Sequence, residues 1–256
     1  MASLLECRGI SRAFGGIRAV DDLSIAVDRG EILGLIGPNG AGKTTVFNLI
    51  SGFYAPSEGE ILLEGSPLTG LRPDAIVRRG VARTFQNIRL FARQSALENV
   101  RTPLLQRHPR GIVPTLLGTP SVRREEKRCT ARAMELLDLV GLAPWSSAAA
   151  GTLPYGHQRR LELARALASE PAVLLLDEPA AGMNPEETAS LTALLATIAP
   201  AFDLTLLIIE HHMDLVMRFC SRIAVLHFGR LLAEGSPAEI RASAAVREAY
   251  LGKKSC

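Results

Sequence analysis

At 256 residues, with 47% hydrophobic and 21% charged residues, the chain can fill a core of its own, which excludes disordered, low-complexity and coiled-coil classes. A net charge of +3 is too small to point to nucleic acid, and no apolar run approaches the roughly 20 residues that a membrane-spanning helix needs. Cys7, Cys129, Cys220 and Cys256 lack metal-ligand or disulfide spacing, and Glu6 and Arg8 stand where a signal peptide would be apolar, so reduced thiols and a cytoplasmic address are expected.

Residues 4–14 and 19–28 alternate apolar and polar types around Gly15-Gly16, which predicts an antiparallel pair joined by a tight turn. Residues 32–36 form a short apolar run of buried-strand type, followed by a glycine-rich loop and a helical stretch from Lys43 that stops at Gly52. From about 90 to 168 the spacing turns helical, clearest over 123–141, with a Pro/Gly-rich connection at 103–120. Residues 173–176 and 204–209 then read as central parallel strands with a helix at about 185–199 between them, and the tail from 236 to 252 as one or two short amphipathic helices.

Gly37-Pro38-Asn39-Gly40-Ala41-Gly42-Lys43-Thr44 fits G-x-x-x-x-G-K-[ST] and lies between a predicted strand and a predicted helix, the context its mechanism requires. Its glycines let successive N–H groups turn inward on phosphate oxygens, and the helix adds its positive end. Lys43 is expected to bridge the β- and γ-phosphates and the Thr44 hydroxyl to hold Mg²⁺. The loop therefore predicts nucleotide binding.

Val173-Leu174-Leu175-Leu176-Asp177-Glu178 is a buried strand ending in two carboxylates. Such a strand can hold Asp177 at the edge of the sheet beside the phosphate loop, where it would organise the Mg²⁺ shell. Glu178 is then placed to polarise an attacking water. His211 follows a second buried strand, so it reaches the same edge and can donate to the γ-phosphate or hold the water.

With these residues the chain resembles the ATP-binding-cassette ATPases over nearly its whole length. The specific element is Leu153-Pro154-Tyr155-Gly156-His157-Gln158-Arg159-Arg160-Leu161, similar to the family signature L-S-G-G-Q and its basic helical continuation. Pro154 replaces the serine and has neither a hydroxyl nor an N–H to offer, while Gly156 is retained. The resemblance implies that Gln86 is the glutamine of the Q-loop, reaching Mg²⁺, that Phe14 stacks on adenine, and that Asn184 lies in the D-loop. It further implies that Thr45 adds to the phosphate loop, that Tyr155, Gly156 and His157 meet ATP, and that His211 is the switch histidine, with His212 where aspartate often follows.

The segments 83–91, 177–182, 210–213 and 246–252, with the insertion at about 103–125, further resemble the longer ATPase of branched-chain amino-acid importers. Related ATPases serve urea, short amides or lipopolysaccharide export, and soluble cassette proteins form another class. The implied fold is α/β: a RecA-like phosphate-loop core with an antiparallel β subdomain (1–90 and 169–235), an inserted helical subdomain (91–168) and a helical tail (236–256). The implied cofactors are ATP and Mg²⁺. The implied partners are a second cassette ATPase packed head to tail, transmembrane permease subunits and, indirectly, a solute-binding protein, with the chain peripheral on the cytoplasmic face of the membrane.

Overall fold

Strands β1 (Leu5–Phe14) and β2 (Ile17–Val27) pair antiparallel, as their alternation predicts. The turn between them is Gly15-Gly16, both at positive φ (51° and 88°), the backbone that a two-residue hairpin of matching twist demands. The computed structural model describes residues 3–107, 119–211 and 213–251. With β4 (Glu58–Leu63) and β5 (Ser66–Pro67) the hairpin forms a four-stranded antiparallel sheet of order β2-β1-β4-β5.

The second sheet has the order β10-β9-β3-β8-β7-β6 and carries the chemistry at the C-terminal ends of its strands. Here β3 is Ile32–Ile36, β6 Val81–Arg83, β7 Val173–Asp177, β8 Thr205–Ile209, β9 Arg222–His227 and β10 Arg230–Gly235. All neighbours pair parallel except β9 and β10. Every residue of β7 and β8 is buried, the continuous apolar pattern of strands covered on both faces. The strand after which the phosphate loop follows and the strand that ends in Asp177 are thus separated by β8 alone.

Helices cover the sheet on both sides. On one side α1 (Lys43–Ile50) packs Phe47 and Val46 into a core shared with the antiparallel sheet. On the other, α3 (Ala96–Arg107), α4 (Pro120–Leu139), α5 (Tyr155–Leu167) and α6 (Pro185–Ala201) enclose a second core. The short α2 (Pro73–Arg78) precedes β6, and α7 (Met213–Phe219), α8 (Pro237–Ala242) and α9 (Ala244–Leu251) complete the chain. Asn184 starts α6 with a capping box, its side chain accepting from Glu187 N while Glu187 answers to Asn184 N.

Two boundaries in the helical insertion differ most from the sequence expectation. The connection expected from 103 begins later, because α3 continues through Pro103 to Arg107; the remainder, 108–118, lies outside the described residues. The helix expected over 123–141 starts earlier, at Pro120, where a first-turn proline has no N–H to lose. No helix among the described residues is long and apolar enough to cross a membrane.

Candidate functional site

The phosphate loop leaves β3 at Ile36 and enters α1 at Lys43. Gly42 is the N-cap, left-handed at φ 104°, and no side chain caps the helix, so the first-turn N–H groups face outward without a competing acid. Only glycine fits there: a Cβ on Gly42 would lie 2.3 Å from Ala19 O, and one on Gly37 2.2 Å from Leu226 O. Between these anchors Ala41 N donates to Pro38 O, which folds Asn39 and Gly40 outward. Thr44 is exposed and Thr45 half-buried on the first turn.

Lys43 is buried, and its ammonium donates to Gly37 O (2.7 Å) and Pro38 O (3.1 Å). Burial pushes the pKa of Lys43 down, against the opposing pull of Glu178 and Asp177. That pull places both carboxylates within electrostatic reach of the loop, as the strand order requires.

Asp177 ends β7 fully buried. Its Oδ2 accepts from Arg83 Nη2 at 2.8 Å in an ion pair whose side chains are 6% and 5% exposed. Arg83 also donates to Asn48 Oδ1 and Ser51 Oγ of α1, and the rings of Phe47, Phe53 and Phe85 surround its guanidinium. Its Nε is buried without a partner. Arg83 was not foreseen from the sequence as part of the site; its place at the end of β6, beside Leu175 of β7, was the available signal.

Glu178 follows with φ +48°, an uncommon conformation for a residue with a side chain and one that recurs at functional sites. Its N–H donates to Ile209 O, which turns the carboxylate out over the sheet edge. There Gln86 Nε2 donates to Oε2 and His211 Nε2 meets Oε1, each at 2.7 Å. The structure therefore gathers Gln86, Glu178 and His211 onto one carboxylate. Glu210, buried one residue before the histidine, accepts from Ala180 N and His211 N and fixes both turns. His212 lies outside the described residues.

The other predicted contacts stand apart from this cluster. Phe14 is 37% exposed at the end of β1 and meets Tyr54 edge-on (5.0 Å), with Arg12 over its face. Pro154 is the N-cap of α5, so Tyr155, Gly156 and His157 form its first turn. Pro154, Gly156 and His157 line a cleft of about 170 Å³ with Arg160, Met183 and Glu187. That cleft shares no residue with the one of about 560 Å³ beside Pro38, Asn39, Gly40 and Ala41. His157 packs on Trp145, and its Nδ1 is buried without a partner.

The donor set fits a hard divalent cation held together with phosphates: Thr44 hydroxyl, Asp177 carboxylate and Gln86 amide are all oxygen donors. Among the described residues no group of three or more His, Cys, Asp or Glu forms a cation site without such a ligand.

The family model described as ABC transporter matches residues 20–181, and one described as branched-chain amino acid ATP-binding cassette transporter matches 230–254. The chain is 44% identical to the high-affinity branched-chain amino acid transport ATP-binding protein BraF of Pseudomonas aeruginosa, and 45% to LivG of Escherichia coli K12, which is described in the same words. Each comparison spans 98% of both chains. Among solved structures, the ADP conformation of MJ1267, an ATP-binding cassette of an ABC transporter, matches with a TM-score of 0.84 at 29% identity, covering 99% of this chain and all of that one. With the phosphate loop, the acidic strand end and the signature helix arranged on this sheet, the chain belongs to the ATP-binding-cassette family of transporter ATPases.

Proposed function

We propose that the chain is the ATP-hydrolysing subunit of a membrane importer for branched-chain or related amino acids. The observation that carries this reading is the full-length identity with BraF and LivG on a sheet edge where Lys43, Asp177 and Glu178 converge. The nucleotide would lie with its phosphates over Gly37, Pro38, Asn39, Gly40, Ala41, Gly42, Lys43, Thr44 and Thr45 and its base toward Phe14. Mg²⁺, held by Thr44, Asp177 and Gln86, would neutralise charge on the phosphates. Glu178 orients and deprotonates the attacking water, while Lys43 and His211 stabilise charge developing on the γ-phosphoryl oxygens.

The first turn of α5 lines a cleft separate from the phosphate loop, so its N–H groups serve a nucleotide bound by a second cassette chain packed head to tail. Tyr155, Gly156 and His157 of one chain then close on the phosphate loop of the other, and loss of the γ-phosphate loosens the pair. The divisions 1–90 with 169–235, 91–168 and 236–256 are the corresponding core, helical and tail units. Permease subunits would dock on residues 86–100, which places the chain on the cytoplasmic face of the membrane, with the solute-binding protein engaged only through them.

The test is a pull-down of tagged Glu178→Gln chain from gently solubilised native cells with ATP and Mg²⁺. Co-purification of hydrophobic permease subunits and a second short cassette ATPase is expected. Recovery of ribosomal or other soluble proteins alone would sink the transport reading and leave the ATPase assignment standing.

A further inference from the structure

Arg159 is a buried arginine of α5, 4% exposed, and its guanidinium bonds both to its own helix and to the loop at Phe85-Gln86. Nη1 donates to Phe85 O (2.8 Å) and to Glu162 Oε2 (3.3 Å). Nη2 donates to Gln86 O and, at 2.9 Å, to the Tyr155 hydroxyl. That hydroxyl in turn donates to Ala181 O at 2.9 Å, and the Tyr155 ring lies 3.3–3.4 Å from where a Cβ on Gly182 would project. Glu162, whose pKa burial raises, accepts from Phe85 N, so the Arg159–Glu162 pair grips both sides of the Phe85 peptide unit.

From these contacts we infer that Tyr155 and Arg159 form one link that fixes the Gln86 loop and the 181–184 turn to the signature helix, and thereby positions the catalytic carboxylate. A continuous chain of hydrogen bonds runs from Ala181 O through the Tyr155 hydroxyl and the Arg159 fork to the backbone of Gln86, whose side chain holds Glu178 at 2.7 Å. Arg159 touches no reacting atom and acts through Gln86, so it is a positioning residue. The planar fork matters: five donors in fixed geometry reach two carbonyls, a carboxylate and a phenol at once, which an ammonium cannot do. A tyrosine at the position where the family signature has glycine gains a purpose here, since its hydroxyl is the only polar atom it brings and that atom is used twice within its own chain. When the first turn of α5 engages nucleotide on a second subunit, the link carries any displacement to Gln86 and to the turn after Glu178 together.

This inference rests on the proposed ATPase reading, and its test separates the two. Tyr155→Phe keeps the ring over Gly182 and removes the hydroxyl; Arg159→Lys keeps a charge for Glu162 and removes the fork. For the full-length chain we expect kcat for ATP hydrolysis to fall about tenfold to a hundredfold in each variant, the scale of a small misplacement at the reacting centre. MgATP affinity, measured by titration of the chain by itself, is expected to stay near wild type, because Lys43 and its loop are untouched and the first-turn N–H groups of α5 remain. Melting temperature is expected to stay near wild type in Tyr155→Phe, whose side chain is part-exposed, and to fall in Arg159→Lys, which leaves buried acceptors unpaired. The double variant is expected to lie close to the worse single one, as two members of one link are not additive. Wild-type kcat in Tyr155→Phe, losses that multiply in the double variant, or affinity and melting temperature of Tyr155→Phe falling in step with its kcat would each overturn the link. A wild-type chain that binds MgATP but never turns it over would overturn the ATPase reading itself, and the link with it.

Discussion

Replacing Arg83 with methionine isolates one deeply buried ion pair. The substitution keeps the apolar stem between Phe47, Phe53 and Phe85 and deletes the charge that faces Asp177 at 2.8 Å. Both side chains are at least nine-tenths buried, so solvent cannot replace the lost partner, and Asn48 and Ser51 lose a donor as well. Stranding one member of such a pair costs about 3–5 kcal/mol, whereas replacing both members by neutral groups costs far less. For a chain of this size each kcal/mol moves the melting temperature by about 2–4 °C, so a fall of about 6–20 °C is expected for Arg83→Met. Adding Asp177→Asn removes the stranded charge, and the double variant is expected to recover at least about 1 kcal/mol of that loss in urea denaturation. An Arg83→Met chain within about 1 kcal/mol of wild type, or a double variant that merely sums the two single losses, would refute the account of this pair.

Glu178→Gln is expected to slow hydrolysis by about 10²-fold or more, the usual worth of a positioned general base, with nucleotide binding intact; a steady-state assay beside a titration checks both. Lys43→Ala is expected to abolish measurable nucleotide affinity, because Lys43 is the one cationic residue among residues 37–45 and it is buried, and a titration indistinguishable from wild type would remove Lys43 from the site. Burial pushes the thiols of Cys7 and Cys220 up to about 12, well above their ordinary value, so neither is a thiolate near neutral pH. Peptide mapping after a thiol reagent at pH 8 is expected to find both unmodified in the folded chain and modified in denaturant; rapid native labelling of either would show that the segment around it opens.

What was legible in the sequence is what local physics decides. Residues 32–36 and 204–209 announce themselves as buried strands because no charged residue interrupts them, and the loop after Ile36 is identified by glycines that only its backbone requires. The strands β9 and β10 were not read, although the centre of β9, Ile223-Ala224-Val225-Leu226, is buried and apolar like β8, since a run of four apolar residues fits a buried helix equally well. Pro103 concealed the last turn of α3, where proline is ordinarily a stop. The site divided in the same way. Lys43, Asp177, Glu178 and His211 are written in motifs at strand ends, but Arg83 and Arg159 owe their roles to partners 94 and 73 or more residues away in the chain, and no spacing rule reports such a meeting.

The bonds at the sheet edge also explain why nucleotide must do work on this site. Lys43 donates to two neutral carbonyls of its own loop, and on the proposed function phosphate oxygens would displace them because an ionised acceptor makes the stronger bond. The same exchange is required at Glu178, whose carboxylate is held by Gln86 and His211 on a backbone that itself costs about 1–3 kcal/mol to maintain. Three independent groups over-determine that residue, Ile209 O accepting from its backbone N–H and the Gln86 amide and His211 ring holding its carboxylate, so its strain persists until one of them is drawn away. A phosphate with its cation competes for two of the three. On the proposed function, the loop that binds nucleotide and the residue that activates the attacking water are therefore coupled through Gln86 and His211, since neither could serve the phosphate without releasing its grip on Glu178.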